Sequence, residues 1–71
     1  MDYRERFTAN LNEIMEARGI QGVQMAKAVG ISEAAISNYR TGRKEPTLTS
    51  LCMLADYLEI SLDVLVGRKE Y

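Results

Sequence analysis

The side chains best suited to bind a ligand in this sequence form a cluster that begins at residue 33. Their chemistry is hydrogen bonding rather than the making or breaking of covalent bonds. Asn38 carries an amide that donates and accepts at once, which suits bidentate pairing with N6 and N7 of adenine. The Ser37 hydroxyl suits either class of base, and the Glu33 carboxylate can accept from N4 of cytosine. An exposed polar helix surface with no ligand is the alternative interpretation of all three.

Cations follow these polar residues at Arg40, Arg43 and Lys44. Residues 17–44 hold five cations and one carboxylate, a net charge of +4, whereas the remainder holds four cations and nine carboxylates, a net charge of −5. The overall charge of −1 is low for a nucleic-acid-binding domain. The uneven distribution nevertheless fits a phosphate-facing surface on an acidic body, with a merely solvated charge cluster as the alternative.

Catalytic and metal-binding constellations are missing from the sequence. It contains no histidine, and its one cysteine, Cys52, lies in the apolar run 49–58, where a small hydrophobe at the core boundary is expected. We therefore expect no enzymatic activity, no metal, no cofactor and no small-molecule ligand. The start of the chain lacks a signal peptide and no run of about 18 apolar residues occurs, so we expect a cytoplasmic protein without membrane contact.

These side chains need helices to position them, and the sequence predicts a single all-α domain over 1–71. Apolar residues at helical spacing, with glycines as stops, predict helices over about 3–18, 22–28, 33–40 and 48–58 and a short fifth ending at Gly67. Ser32 and Ser61 are good N-caps. The side chains of the fourth helix that are expected to point into the core are those of Leu48, Leu51, Leu54, Ala55 and Leu58.

The second and third helices are expected to form a tight pair around the pattern Ala26-x3-Gly30-x5-Ile36. Ala26 is small enough for the point where two helices joined by a short turn cross. Gly30 supplies the positive φ that the turn needs, and Ile36 points back into the wedge. The opposite, solvent-facing side then carries Glu33, Ala34, Ser37, Asn38 and Thr41.

Four blocks in this order and spacing resemble the lambda-repressor-like helix-turn-helix family of Cro, phage-repressor and xenobiotic-response-element regulators: 25–32, 35–39, 42–47 and 54–67. The likeness covers about 11–67, with the helix-turn-helix at about 22–41. It implies a compact five-helix domain whose third helix enters the DNA major groove, usually as a dimer on a pseudo-palindromic operator. The implied function is that of a sequence-specific transcriptional regulator, by default a repressor.

The resemblance and the side-chain chemistry together assign candidate roles to residues of the second and third helices and the loop that follows. Base contacts are expected from Glu33, Ala34, Ser37 and Asn38. Phosphate contacts are expected from Gln21, Gln24, Ser32, Tyr39, Arg40, Thr41, Arg43 and Lys44. The chain departs from the family pattern with Gln21-Gly22 in place of a Thr-Gln pair, Arg40 in place of a Glu, and Glu59 where a glycine is frequent.

Two questions about partners stay open from the sequence. Net acidity and an acid on the reading surface also fit a helix-turn-helix module that binds protein, such as an antitoxin-like or co-regulator domain. Four apolar residues fall outside the inward stripes and could form a homodimer patch: Met53, Tyr57, Val64 and Val66. Scattered surface apolar residues without a partner are the alternative.

Overall fold

The computed structural model describes residues 2–70, so residues 1 and 71 of the predicted domain lie outside the described part. Its elements are α1 (Tyr3–Arg18), α2 (Gly22–Val29), α3 (Glu33–Thr41), α4 (Leu48–Leu58) and α5 (Leu62–Leu65). The all-α prediction is confirmed, and the first four helices end within one residue of expectation. The fifth ends two residues before Gly67. None of the helices between residues 2 and 70 has the length and apolar character required to span a bilayer.

Short polar side chains begin four of the five helices. Asp2, Ser32, Thr47 and Ser61 each accept a hydrogen bond from a backbone N–H of the following turn. Such caps satisfy N–H groups that have no partner inside the helix. Helix α2 is the exception, because Gln21 makes no side-chain cap hydrogen bond.

The core is formed by apolar residues from all five helices. Helix α1 packs against α3 and α5, and α4 packs against α2 and α5. The rings of Phe7 and Tyr39 meet edge to face, with centroids 6.1 Å apart, and this contact joins α1 to α3. Leu48 was expected to point inward but is 73% exposed. It lies in the first turn of α4, and the buried stripe of that helix begins one turn later at half-buried Leu51.

Polar side chains of α1 bind the carbonyl groups at the ends of other helices. On α3, Thr8 Oγ1 donates to the Tyr39 carbonyl over 2.9 Å. The other such hydrogen bonds run from Asn12 to the Arg40 carbonyl, from Arg18 to that of Leu58, and from Asn10 to those of Val64 and Leu65. The last carbonyls of a helix have no partner within it. Helix α1 therefore fixes the C-terminal ends of α3, α4 and α5.

Helix α4 ends in the left-handed backbone conformation at Glu59, as expected if this residue stands where a glycine is frequent. Its φ is 57° and its ψ is 44°, and among residues 2–70 no other non-glycine residue has a positive φ. A side chain in this conformation costs about 1–2 kcal/mol. The strained conformation is retained because it lets the Glu59 N–H donate hydrogen bonds to the carbonyls of Ala55 and Asp56 at the end of the helix.

Glu59→Gly is therefore expected to stabilise the domain by about 0.5–1 kcal/mol, since relief of the strain exceeds the added flexibility of the unfolded chain. Gly19→Ala is the matched control: Gly19 ends α1 at a φ of 66°, and a Cβ there would meet no atom within 4 Å. That substitution should destabilise the domain by about 1 kcal/mol through the backbone alone. Urea unfolding of both variants measures the two changes. Changes of equal sign would contradict the explanation.

Candidate nucleic-acid interface

The pair formed by α2 and α3 has the predicted geometry. Ala26 is 5% exposed at the crossing, and its carbonyl accepts from the N–H groups of Gly30 and Ile31. Gly30 has a φ of +80° and open space around it, so the turn requires glycine for its backbone conformation and not for room. Ile36 is 1% exposed in the wedge. These contacts leave the opposite side of α3 free to meet a ligand.

That side of α3 is polar and accessible. Glu33, Ala34 and Ser37 are exposed. Asn38 is half-buried, and its side-chain amide has no hydrogen-bond partner within residues 2–70. Thr41 is exposed, but its hydroxyl donates to the Ser37 carbonyl over 3.0 Å, so it can only accept from a second partner. The amide of Asn38 keeps its full capacity to donate and accept.

The cations after α3 are exposed, and they lack acidic partners in the part of the chain that the structure describes. Backbone N–H groups of Arg43 and Lys44 donate to the Asn38 carbonyl over 3.0 and 3.4 Å, which ties the loop to the end of the helix. Neither side chain has a carboxylate within 4.0 Å in the described part of the chain, whereas Arg68 and Lys69 both pair with Asp63. Their charge is therefore available to an anionic ligand.

The expected phosphate contacts differ in exposure, and Tyr39 is the most buried of them. Tyr39 is 6% exposed, with its ring in the core against Phe7, so it stays a predicted phosphate contact that only its hydroxyl can make. The stripe of α3 that holds Ile36 continues through Tyr39 one turn later, which explains its burial. Gln21, Gln24 and Ser32 are exposed, and the Ser32 oxygen also accepts from the Ala35 N–H as the N-cap of α3.

Arg40 lies at the edge of the polar side and is held by a residue that the sequence did not indicate. Its Nε donates to Asn12 Oδ1 over 2.7 Å, and Asn12 Nδ2 donates to the Arg40 carbonyl over 2.9 Å. Both residues line an open groove of about 380 Å³. The other residues along this groove are Gly22, Val23, Glu33, Ile36, Ser37 and Thr41. The groove runs from the start of α2 to the polar side of α3.

A helix-turn-helix family model matches residues 11–65, which span α2, the turn and α3 with the helices that support them. The chain belongs to the lambda-repressor-like helix-turn-helix family. This result confirms the resemblance drawn from the four sequence blocks. The match begins inside α1 and ends at the last residue of α5, so it includes nearly the whole of the described fold.

Several curated proteins with regulator names resemble this chain. It is 47% identical over 45 residues to the cryptic phage CTXphi transcriptional repressor RstR of Vibrio cholerae serotype O1, an alignment covering 63% of this chain and 40% of RstR. It is 31% identical over 64 residues to the HTH-type transcriptional regulator AnsR of Bacillus subtilis, covering 86% of this chain and 55% of AnsR. The chain thus spans about half the length of these relatives. No solved structure matches it significantly.

The remaining candidate residues of this helix-turn-helix domain are those predicted to form a homodimer patch and those of the types that bind metals. Met53, Tyr57, Val64 and Val66 are all half-buried, and Met53 and Tyr57 pack against the core. Leu62, which the sequence analysis did not single out, is 37% exposed in α5. No group of His, Cys, Asp or Glu within residues 2–70 is arranged to hold a metal ion. Cys52 is half-buried with a free thiol.

Proposed function

We propose that this domain binds double-stranded DNA sequence-specifically and serves as a transcriptional regulator, with α3 in the major groove. The observation that carries the proposal is the accessible polar side of α3 next to the cations Arg43 and Lys44, which have no ion-pair partner within residues 2–70. An α-helix fits the major groove, where the edges of all four base pairs differ in their hydrogen-bonding groups. In helix-turn-helix proteins the second helix of the pair occupies this position.

The side chains divide into two proposed roles. Asn38 would pair with adenine, Glu33 with cytosine, and Ser37 and Ala34 would contact neighbouring base edges. Phosphate contacts would come from the polar and cationic residues around them: Gln21, Gln24, Ser32, Tyr39 through its hydroxyl, Arg40, Thr41, Arg43 and Lys44. Base contacts select the sequence, whereas phosphate contacts fix the position of the protein and supply the affinity that it has for any DNA.

Repression is the proposed direction of regulation. It is supported by the name of RstR, a transcriptional repressor that shares 47% identity over the 45 aligned residues. A domain of this kind represses when its operator overlaps the site that the transcription machinery needs. We propose the cytoplasm as its location, because the DNA target is there in the bacteria from which the relatives come.

Dimerisation on a pseudo-palindromic operator is a further part of the proposal. The half-buried residues Met53, Tyr57, Val64 and Val66, together with exposed Leu62, offer apolar surface on α4, on α5 and just after it. A two-fold contact there would present two copies of α3 to half-sites about one helical turn apart. Sedimentation at high concentration should show a dimer. A monomer throughout, with one half-site occupied per chain, would refute this part.

A salt titration tests whether the domain binds DNA at all. Arg40, Arg43 and Lys44 supply three phosphate contacts, so the slope of log K against log salt should be about −2.7 for each bound copy. Affinity for a mixed duplex should then fall about 40-fold between about 50 and 200 mM salt. Absence of binding at low salt would refute the proposal and favour a protein partner, as the net charge of −1 allows.

A further inference from the structure

Asn12 and Arg40 form a two-way hydrogen bond that joins α1 to α3. The Asn12 amide accepts from Arg40 Nε over 2.7 Å and donates to the Arg40 carbonyl over 2.9 Å. If the Asn12 amide were rotated by 180°, its NH₂ group would face the Arg40 Nε–H donor and its oxygen would face the Arg40 carbonyl. The two hydrogen bonds together therefore specify one orientation of the amide. Asn12 lies ten residues before the α2–α3 pair. Asn12 is therefore outside the helix-turn-helix, whereas Arg40, the residue that it holds, is part of it.

This contact occupies one edge of the Arg40 guanidinium and leaves the opposite edge free. The terminal nitrogens make no hydrogen bond within residues 2–70, and no carboxylate there lies within 4.0 Å of them. Glu33 lines the same groove without pairing to Arg40. A planar guanidinium with its two terminal nitrogens free matches the spacing of two oxygens on a phosphate.

The position of Arg40 on α3 favours phosphate over a base edge. With about 100° per residue, Arg40 lies two turns beyond Glu33 on nearly the same side of the helix, at its C-terminal end. The base-reading residues of a helix-turn-helix are at the N-terminal end of its second helix. Arg40 thus lies at the same end of α3 as the loop that carries Arg43 and Lys44.

We propose that Asn12 is a positioning residue for DNA binding: it holds the Arg40 guanidinium so that its terminal nitrogens meet a backbone phosphate. The inference rests on the proposed function. A side chain that is already fixed loses less rotational freedom on binding, so the contact gains affinity without adding a charge. Asn12 itself does not touch the DNA.

A double-mutant cycle tests this assignment on a duplex of scrambled sequence over a series of salt concentrations. Arg40→Ala should reduce the salt slope by about 1 unit, since one counterion fewer is released. Asn12→Ala should weaken binding about two- to tenfold with the slope unchanged, because Arg40 still reaches the phosphate after losing its support. In the Arg40→Ala background, Asn12→Ala should cause no further loss.

Thr8→Val provides the matched control for stability. Thr8 lies one turn before Asn12 and its hydroxyl binds the Tyr39 carbonyl over 2.9 Å, so it makes the same kind of contact between α1 and α3 without holding a cation. Its loss should lower the melting temperature comparably to Asn12→Ala and leave DNA affinity unchanged at temperatures where both variants are folded. Equal losses of affinity in Thr8→Val and Asn12→Ala would overturn the inference.

Other outcomes separate this inference from the proposed function. If the unmodified domain shows no salt-dependent binding, the proposed function fails and the inference fails with it. If the domain binds and Arg43→Ala weakens it, but Asn12→Ala has no effect or acts equally in both backgrounds, only the inference is overturned. It is also overturned if Arg40→Ala changes the preference among duplex sequences at constant slope, because Arg40 then contacts a base.

Discussion

Replacing Ile36 with alanine is expected to lower the free energy of unfolding by about 2–5 kcal/mol, the largest loss of stability that we expect from a single substitution in α3. The side chain is 1% exposed and fills the wedge between α2 and α3. It also faces Gly22, where an added Cβ would lie 3.7 Å from Ile36 Cγ2. Truncation removes buried methyl groups and leaves a cavity that the rigid turn cannot close.

The melting temperature measures this effect. A loss of about 2 kcal/mol or more should lower it by at least about 8 °C in a domain of this size, and the upper end of the range could unfold the domain. Val23→Ala is the control, because Val23 is on the neighbouring helix but is 48% exposed. It should change stability by less than about 0.5 kcal/mol. A small shift for Ile36→Ala would mean that α3 is wrongly placed.

Asn38→Ala should weaken binding to the preferred sequence by about 1–3 kcal/mol, which is the largest expected effect on DNA recognition from a single side chain. The amide has no partner within the described fold, so its removal leaves no buried group unsatisfied and stability should stay nearly constant. Preference should relax at one base pair. Affinity for scrambled DNA and the salt slope should not change, because no phosphate contact is lost.

Arg43→Ala and Lys44→Ala should have the complementary effect. Each should weaken binding to every sequence alike and reduce the salt slope by about 1 unit. Lys69→Ala removes a charge that already pairs with Asp63 and should leave the slope unchanged. Glu33→Gln should raise affinity for scrambled DNA and blur any preference for cytosine. If Asn38→Ala weakened both duplexes equally, or the loop variants changed only preference, the division of roles would be wrong.

Local sequence signals predicted the helices and the turn well. The spacing of Phe7 and Leu11 with Gly19 as a stop defined α1, and Ser32 marked the start of α3. The small residue at Ala26 and the positive φ at Gly30 followed from the geometry of two closely crossing helices. These features depend on residues a few positions apart, which a sequence pattern records directly.

Contacts between distant elements were not predictable in this way. Leu48 fits the apolar spacing of α4 but lies in a turn that the rest of the fold does not cover. Tyr39 has a polar tip that suggested a phosphate contact, and this tip gave no signal that its ring packs against Phe7 in the core. The hydrogen bond from Arg40 to Asn12 joins residues 28 positions apart, and neither residue type signals the other.

Selection of bound sequences from a pool of random duplexes tests the central claim most directly, because it asks whether α3 reads DNA. The unmodified domain should enrich one sequence, arranged as an inverted repeat if two copies bind. Selection with Asn38→Ala should retain the same sequence except for a relaxed preference at one position of each half-site. A pool that stays random under salt conditions where the domain binds DNA would contradict sequence-specific reading by α3.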